Sequence, residues 1–119
     1  MRKTELMRYR RTLEEQLAAL AQQGAATVHG LVADKEELPD PNDRATREED
    51  LREELRLRDR ERKLASKIEE ALSRIDAGTF GLCEACGRRI DPARLRARPV
   101  TTFCIDCKRE SEVAERRAT

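Results

Sequence analysis

The chain contains no Trp, and its aromatic residues are Tyr9, Phe80 and Phe103 alone among 119. Neither a base-stacking platform nor a large aromatic core can be built from so few rings, which disfavours a conventional globular enzyme. Charge of one sign is also missing: 25 Lys and Arg face 24 Asp and Glu, although charged residues make up 41% of the chain. A net +1 gives no general attraction to nucleic acid or to an anionic membrane. Long apolar runs are absent too. The longest, Leu17 to Ala21, falls far short of the ~20 residues of a membrane span and the ~7 to 15 of a signal-peptide core, so a cytoplasmic protein without membrane contact is expected.

Catalytic groupings are equally scarce. The single His, His29, lies far in sequence from any cysteine and reads as an ordinary helix residue, and no Ser or Thr has a His beside it. No Gly-rich loop of phosphate-binding form occurs. Asp40 and Asp43 could resemble an acid/base pair, but an exposed turn offers no pocket to tune their pKa values. No enzymatic activity is expected.

What the chain does have is helical periodicity. Leu6, Tyr9, Leu13, Leu17, Leu20, Val28 and Leu31 recur at three-and-four spacing, which predicts a helix from about Thr4 to about Asp34. Pro39 and Pro41 then remove two backbone donors and force a break and turn. A second helix is predicted with Asp43 as N-cap, or with Thr46 and Glu49 as a competing capping box, and with Gly78 as its stop. Its stripe is Leu51, Leu55, Leu64, Ile68, Leu72 and Ile75, interrupted by the charged run Arg58 to Lys63. Two such helices joined by a short turn lie antiparallel, each on the order of 45 Å long. Taken alone, this pattern also suits a spacer or a dimerising coiled coil.

Charge is distributed unevenly along this rod. Residues 34–43 hold Asp34, Glu36, Glu37, Asp40 and Asp43 against Lys35 alone, a net −4. From Gly87 to the C-terminus nine basic residues face five acidic ones, a net +4. An acidic tip and a basic base are expected.

The four cysteines form two C-x-x-C pairs, Cys83/Cys86 and Cys104/Cys107, separated by seventeen residues. Two tight knuckles at that spacing close a tetrahedron of thiolates around Zn²⁺, as in a zinc ribbon. With four protein ligands the site is coordinatively closed, so one structural Zn²⁺ is expected; redox-sensitive zinc release, disulfides and an iron site are the alternatives.

The stretch Leu38 to Ala45, the run Leu57 to Leu64, and the ribbon residues Phe80-Gly81, Cys83, Cys86-Gly87, Arg94-Leu95, Ala97-Arg98-Pro99 and Cys104 to Lys108 together resemble the DksA/TraR family, on its DksA branch. The resemblance runs from about Glu5 to the C-terminus and departs at the start, where the longer N-terminal arm of larger members is not seen. It implies a mainly α fold: a long antiparallel helical hairpin over 1–77 with its tip at 38–45, and a small four-cysteine zinc-ribbon base with a C-terminal helix over 78–119. It further implies a bacterial transcription regulator, acting as a monomer, that inserts the hairpin into the secondary channel of RNA polymerase and modulates promoter-complex stability without contacting DNA.

By the same resemblance Asp40, Asp43 and Ala45 act at the polymerase active site, while Lys67, Arg98 and Lys108 bind the stringent-response alarmone ppGpp where base and polymerase meet. An ordinary cap or turn residue would account for the aspartates, and solvated surface cations for the other three. A coiled-coil assembly adaptor and a zinc-ribbon nucleic-acid binder are the rival functions.

Overall fold

The computed structural model describes residues 1–33 and 40–118, apart from the side chains of 25–33. It contains four helices: α1 (Lys3–Ala33), α2 (Pro41–Ala77), α3 (Pro92–Ala97) and α4 (Ile105–Ala118). Among the described residues no strand forms, and the base carries one isolated antiparallel bridge between Leu82 and Arg89. The expected mainly helical architecture is therefore present. Residues 34–39, with Leu38, Pro39 and most of the acidic turn, lie outside the described residues, as do the side chains of Val28, His29 and Leu31.

The start of α2 corrects the expected cap. Asp40 has extended backbone angles, φ −118° and ψ 133°, and its carboxylate accepts the Asn42 backbone N–H at 3.0 Å. Pro41 then occupies the first helical position, where its missing N–H would have had no partner and its fixed φ suits the helix. Asp43 lies within the first turn instead, where its charge still complements the helix dipole. The Thr46 capping box does not form, because Thr46 Oγ1 donates back to the Asn42 carbonyl at 3.1 Å. At the far end Gly78 adopts φ 77° and directs its N–H to the carbonyls of Arg74 and Ile75. This is the left-handed stop that only Gly adopts without strain.

Cross-contacts show that α1 and α2 run antiparallel. Arg10, early in α1, pairs with Asp76 at the end of α2, whereas Leu20 and Leu64, further from both ends, line one shared groove. The Tyr9 ring meets Phe80 with centroids 5.0 Å apart and planes tilted by 53°. Leu13, Ile68, Ala71 and Ile75 from the hairpin join Phe80, Cys83, Ile90 and Leu95 from the base in one buried cluster. Each fully buried Leu or Ile contributes about 1.5–3 kcal/mol, so stability is concentrated at the joint between hairpin and base.

Beyond that joint the second helix is far less covered. Leu51, Leu55 and Leu64, expected in the seam, remain 42%, 49% and 41% exposed. The charged band is mostly surface, as the exposed Asp59–Lys63 pair at 3.1 Å illustrates, with Arg58 and Glu61 half-buried. The molecule is accordingly elongated: its radius of gyration is 19.4 Å, where a compact chain of this length would have about 13.5 Å.

Candidate metal centre

Each cysteine pair sits on a turn closed in the same way. The Cys83 carbonyl accepts the Gly87 N–H at 3.0 Å, and the Cys104 carbonyl accepts the Lys108 N–H at 2.9 Å. Gly87 permits the first turn by adopting φ 73°, while the second passes directly into α4. The Glu84 N–H donates to the Thr102 carbonyl at 2.9 Å, which draws the two turns together.

All four Sγ atoms lie within 4.8 Å of one another and none is in a disulfide. Cys86 Sγ and Cys104 Sγ are 3.8 Å apart; a tetrahedron with Zn–S bonds of about 2.3 Å has edges of about 3.8 Å. Cys83 is buried, Cys104 and Cys107 are half-buried and Cys86 is exposed.

The protonation chemistry of the cluster fits a dication. Burial acts to raise the Cys83 thiol, but backbone N–H groups of Cys104, Cys86 and Ala85, together with the Cys86 side chain, more than offset it and bring the pKa down to about 6. Cys107 is pushed in the opposite direction, first by its hydrogen bond with Cys104, then by burial and by the Cys83 and Cys86 thiols. Four sulfurs this close cannot all ionise unless a cation replaces the remaining protons. The four cysteines fit one structural zinc, with no position left for a substrate.

Two comparisons of sequence bear on the same residues. Residues 5–75 match the model of the DnaK suppressor protein DksA N-terminal domain, and residues 78–113 match that of the prokaryotic dksA/traR C4-type zinc finger. The chain belongs to the DksA family. A DksA relative from Haemophilus influenzae, called an RNA polymerase-binding transcription factor, is 40% identical over 116 residues, covering 98% of this chain and 80% of the relative. The DksA of Escherichia coli K12, with the same description, is 43% identical over 116 residues, covering 98% and 77%.

Solved DksA-type structures agree in fold. Transcription factor DksA2 from Pseudomonas aeruginosa superimposes with a TM-score of 0.84 at 37% identity, over 98% of this chain and 89% of that one. The Chlamydia trachomatis RNA polymerase binding protein and transcriptional regulator Dks, at 20% identity and a TM-score of 0.60 over 96% and 94%, shares the fold.

The other residues singled out from the sequence are placed as follows. Asp40, Asp43 and Ala45 are all exposed on the first turn of α2 and its cap. Lys67 on α2, Arg98 at the end of α3 and Lys108 on α4 are exposed. Arg98 lines a groove of about 370 Å³ with Gln16, Leu20, Leu64 and Val100; Lys67 and Lys108 do not line it.

Sequence reasoning gave no role at the site to two arginines, Arg74 and the Arg94 of the ribbon motif. Arg74 Nη2 donates to the carbonyls of Thr79, at 3.4 Å, and Leu82, while Arg94 Nε donates to the Phe103 carbonyl at 3.2 Å. What the sequence does not show is their acceptors, eight and nine residues further on, a spacing that has no meaning until the intervening turns are known.

Proposed function

We propose that this chain is an RNA polymerase-binding transcription regulator that enters the polymerase secondary channel with its hairpin and alters promoter-complex stability without touching DNA. The observation carrying this reading is a pair of exposed carboxylates, Asp40 and Asp43, presented on the first turn of a slender hairpin in a DksA-family chain. A hairpin that owes its stability to its foot can leave its far end free for a partner. Anionic groups at that end suit a channel of basic side chains and catalytic metal.

In this reading residues 1–77 are the inserted arm and 78–119 the zinc-braced base, and the protein works as a cytoplasmic monomer. Asp40, Asp43 and Ala45 act at the polymerase active site. Lys67, Arg98 and Lys108 supply cationic donors to ppGpp at the junction with polymerase, a polyanion that convergent Arg and Lys recognise. Among the described residues none of these three side chains is engaged in an ion pair or hydrogen bond, which leaves all three available. Capture of purified bacterial RNA polymerase by the zinc-loaded chain, followed by transcription in vitro, tests the proposal. Failure to bind polymerase would overturn it.

The exposed leucines of α2 favour one alternative, an assembly adaptor that self-associates through Leu51, Leu55 and Leu57. Sedimentation distinguishes them: a concentration-independent monomer supports the regulator, and a stable dimer the adaptor.

A further inference from the structure

Both cysteine pairs are entered through an apolar residue, Leu82 before Cys83 and Phe103 before Cys104. The carbonyl of each is held by an arginine from the preceding helix: Leu82 by Arg74 in the last turn of α2, and Phe103 by Arg94 on α3. Both arginines are half-buried, and the Arg74 side chain is only 15% exposed. Arg74 also lies 3.9 Å from Glu84, inside the first turn, and Phe103 O takes a second donor from Thr101 Oγ1 at 3.4 Å.

An amide is planar, so fixing its carbonyl fixes the direction of its N–H. The amide that Arg94 holds carries the Cys104 N–H and leads into the second cysteine turn, which closes where the Cys104 carbonyl accepts the Lys108 N–H at 2.9 Å. The amide that Arg74 holds carries the Cys83 N–H, which donates to the Arg88 carbonyl at 2.8 Å and shapes the first turn. An arginine-to-carbonyl bond is charge-assisted and directional, and a half-buried position shields it from competing water.

We propose that Arg94 and Arg74 are positioning residues of the zinc centre, each holding the amide that leads into one cysteine pair. Neither is a ligand. They act through the backbone, as hydrogen-bonding partners behind a metal's ligands do when they hold ligand direction and tune basicity. Because Arg74 belongs to the hairpin helix α2 and Arg94 to the base, the metal centre is anchored to both.

The test uses the full chain loaded with zinc and measures the rate of zinc transfer to an excess of a colorimetric chelator. Arg94→Met keeps the apolar stem and loses the donor. Arg96→Met, on an exposed position of the same helix, removes the same charge from solvent and serves as control. Arg94→Met is expected to release zinc about tenfold faster than either wild type or Arg96→Met. With cobalt in place of zinc, its sulfur-to-metal charge-transfer band should shift in Arg94→Met and not in Arg96→Met, because the amide that sets the direction of the second cysteine turn is no longer held. Equal release by Arg94→Met and Arg96→Met would overturn the proposal. Should Arg94→Met fail to fold with zinc, Arg94→Lys decides, since it keeps the charge without the planar N–H: faster release than wild type supports the proposal and wild-type release overturns it.

Discussion

The carboxylate of Asp40 accepts the backbone N–H of Asn42 at 3.0 Å, so the residue that begins α2 is also the one whose charge stands foremost at the described end of the hairpin. The two roles separate by substitution. Asp40→Ala removes the capping acceptor and should cost about 1 kcal/mol of helix stability, whereas Asp40→Asn retains it. If the charge acts on polymerase, Asp40→Asn and Asp43→Asn should lower the melting temperature only slightly, through the lost dipole interaction, and keep most polymerase affinity while losing the effect on promoter-complex lifetime. Transcription in vitro beside thermal melting checks this; undiminished regulation by both variants would reduce Asp40 to a cap.

Gly78 stops α2 at φ 77° with nothing within 4 Å of where a Cβ would stand. Any penalty for a side chain there is conformational rather than steric. Gly78→Ala should destabilise the chain by about 1 kcal/mol, and Gly78→Asn by less, since Asn tolerates the left-handed region. Denaturant unfolding of the three proteins in zinc buffer should rank Gly78 first, Asn second and Ala last.

Metal removal should act unevenly. The base contributes Phe80, Cys83, Ile90 and Leu95 to the core, too little apolar area to persist alone. Chelation should expose amides from about Gly81 to Lys108 to hydrogen exchange while the paired parts of α1 and α2 exchange more slowly. Elemental analysis of the purified chain should give about one zinc per chain, and Cys83→Ser and Cys104→Ser should each mimic the chelated state. A well-folded base without metal would contradict the structural role.

Arg98 lies on the wall of the groove between hairpin and base, with its guanidinium free of any protein partner among the described residues. Arg98→Ala should lower ppGpp binding to the polymerase complex by about 1.5–3 kcal/mol, the scale of a hydrogen bond to a charged group. The free chain should bind ppGpp weakly, because exposed cations remain solvated. Enhancement by ppGpp at a responsive promoter, compared between wild type and Arg98→Ala, reads the difference; equal enhancement would remove Arg98 from the site.

Helix extents were legible because their signals are local. The three-and-four apolar spacing located the start of α1 to within a residue, its expected end at Asp34 lying outside the described residues, and Gly78 marked the end of α2 through its left-handed backbone. The start of α2 was misplaced because Pro41 reads as a breaker when it is a first helical residue. Asp91-Pro92 opens α3 by the same device, with the Asp91 carboxylate accepting the Ala93 N–H at 2.9 Å. Periodicity also names a face without saying what covers it, so Leu51 and Leu64 looked like seam residues and proved exposed. Cysteine spacing revealed the metal centre, whereas Arg74 and Arg94 meet it only after the chain has turned back on itself.

Tyr9, tilted against Phe80, gives the molecule its own optical reporter. It is the single Tyr in a chain without Trp, so emission excited at wavelengths beyond phenylalanine absorption arises from one ring, situated where α1 meets the first residue of the base core. Separation of arm and base would change the surroundings of that ring and alter its quantum yield or anisotropy. Loosening of the junction can therefore be followed in real time in the unlabelled protein, including during metal loss or polymerase engagement when the partner's emission is subtracted.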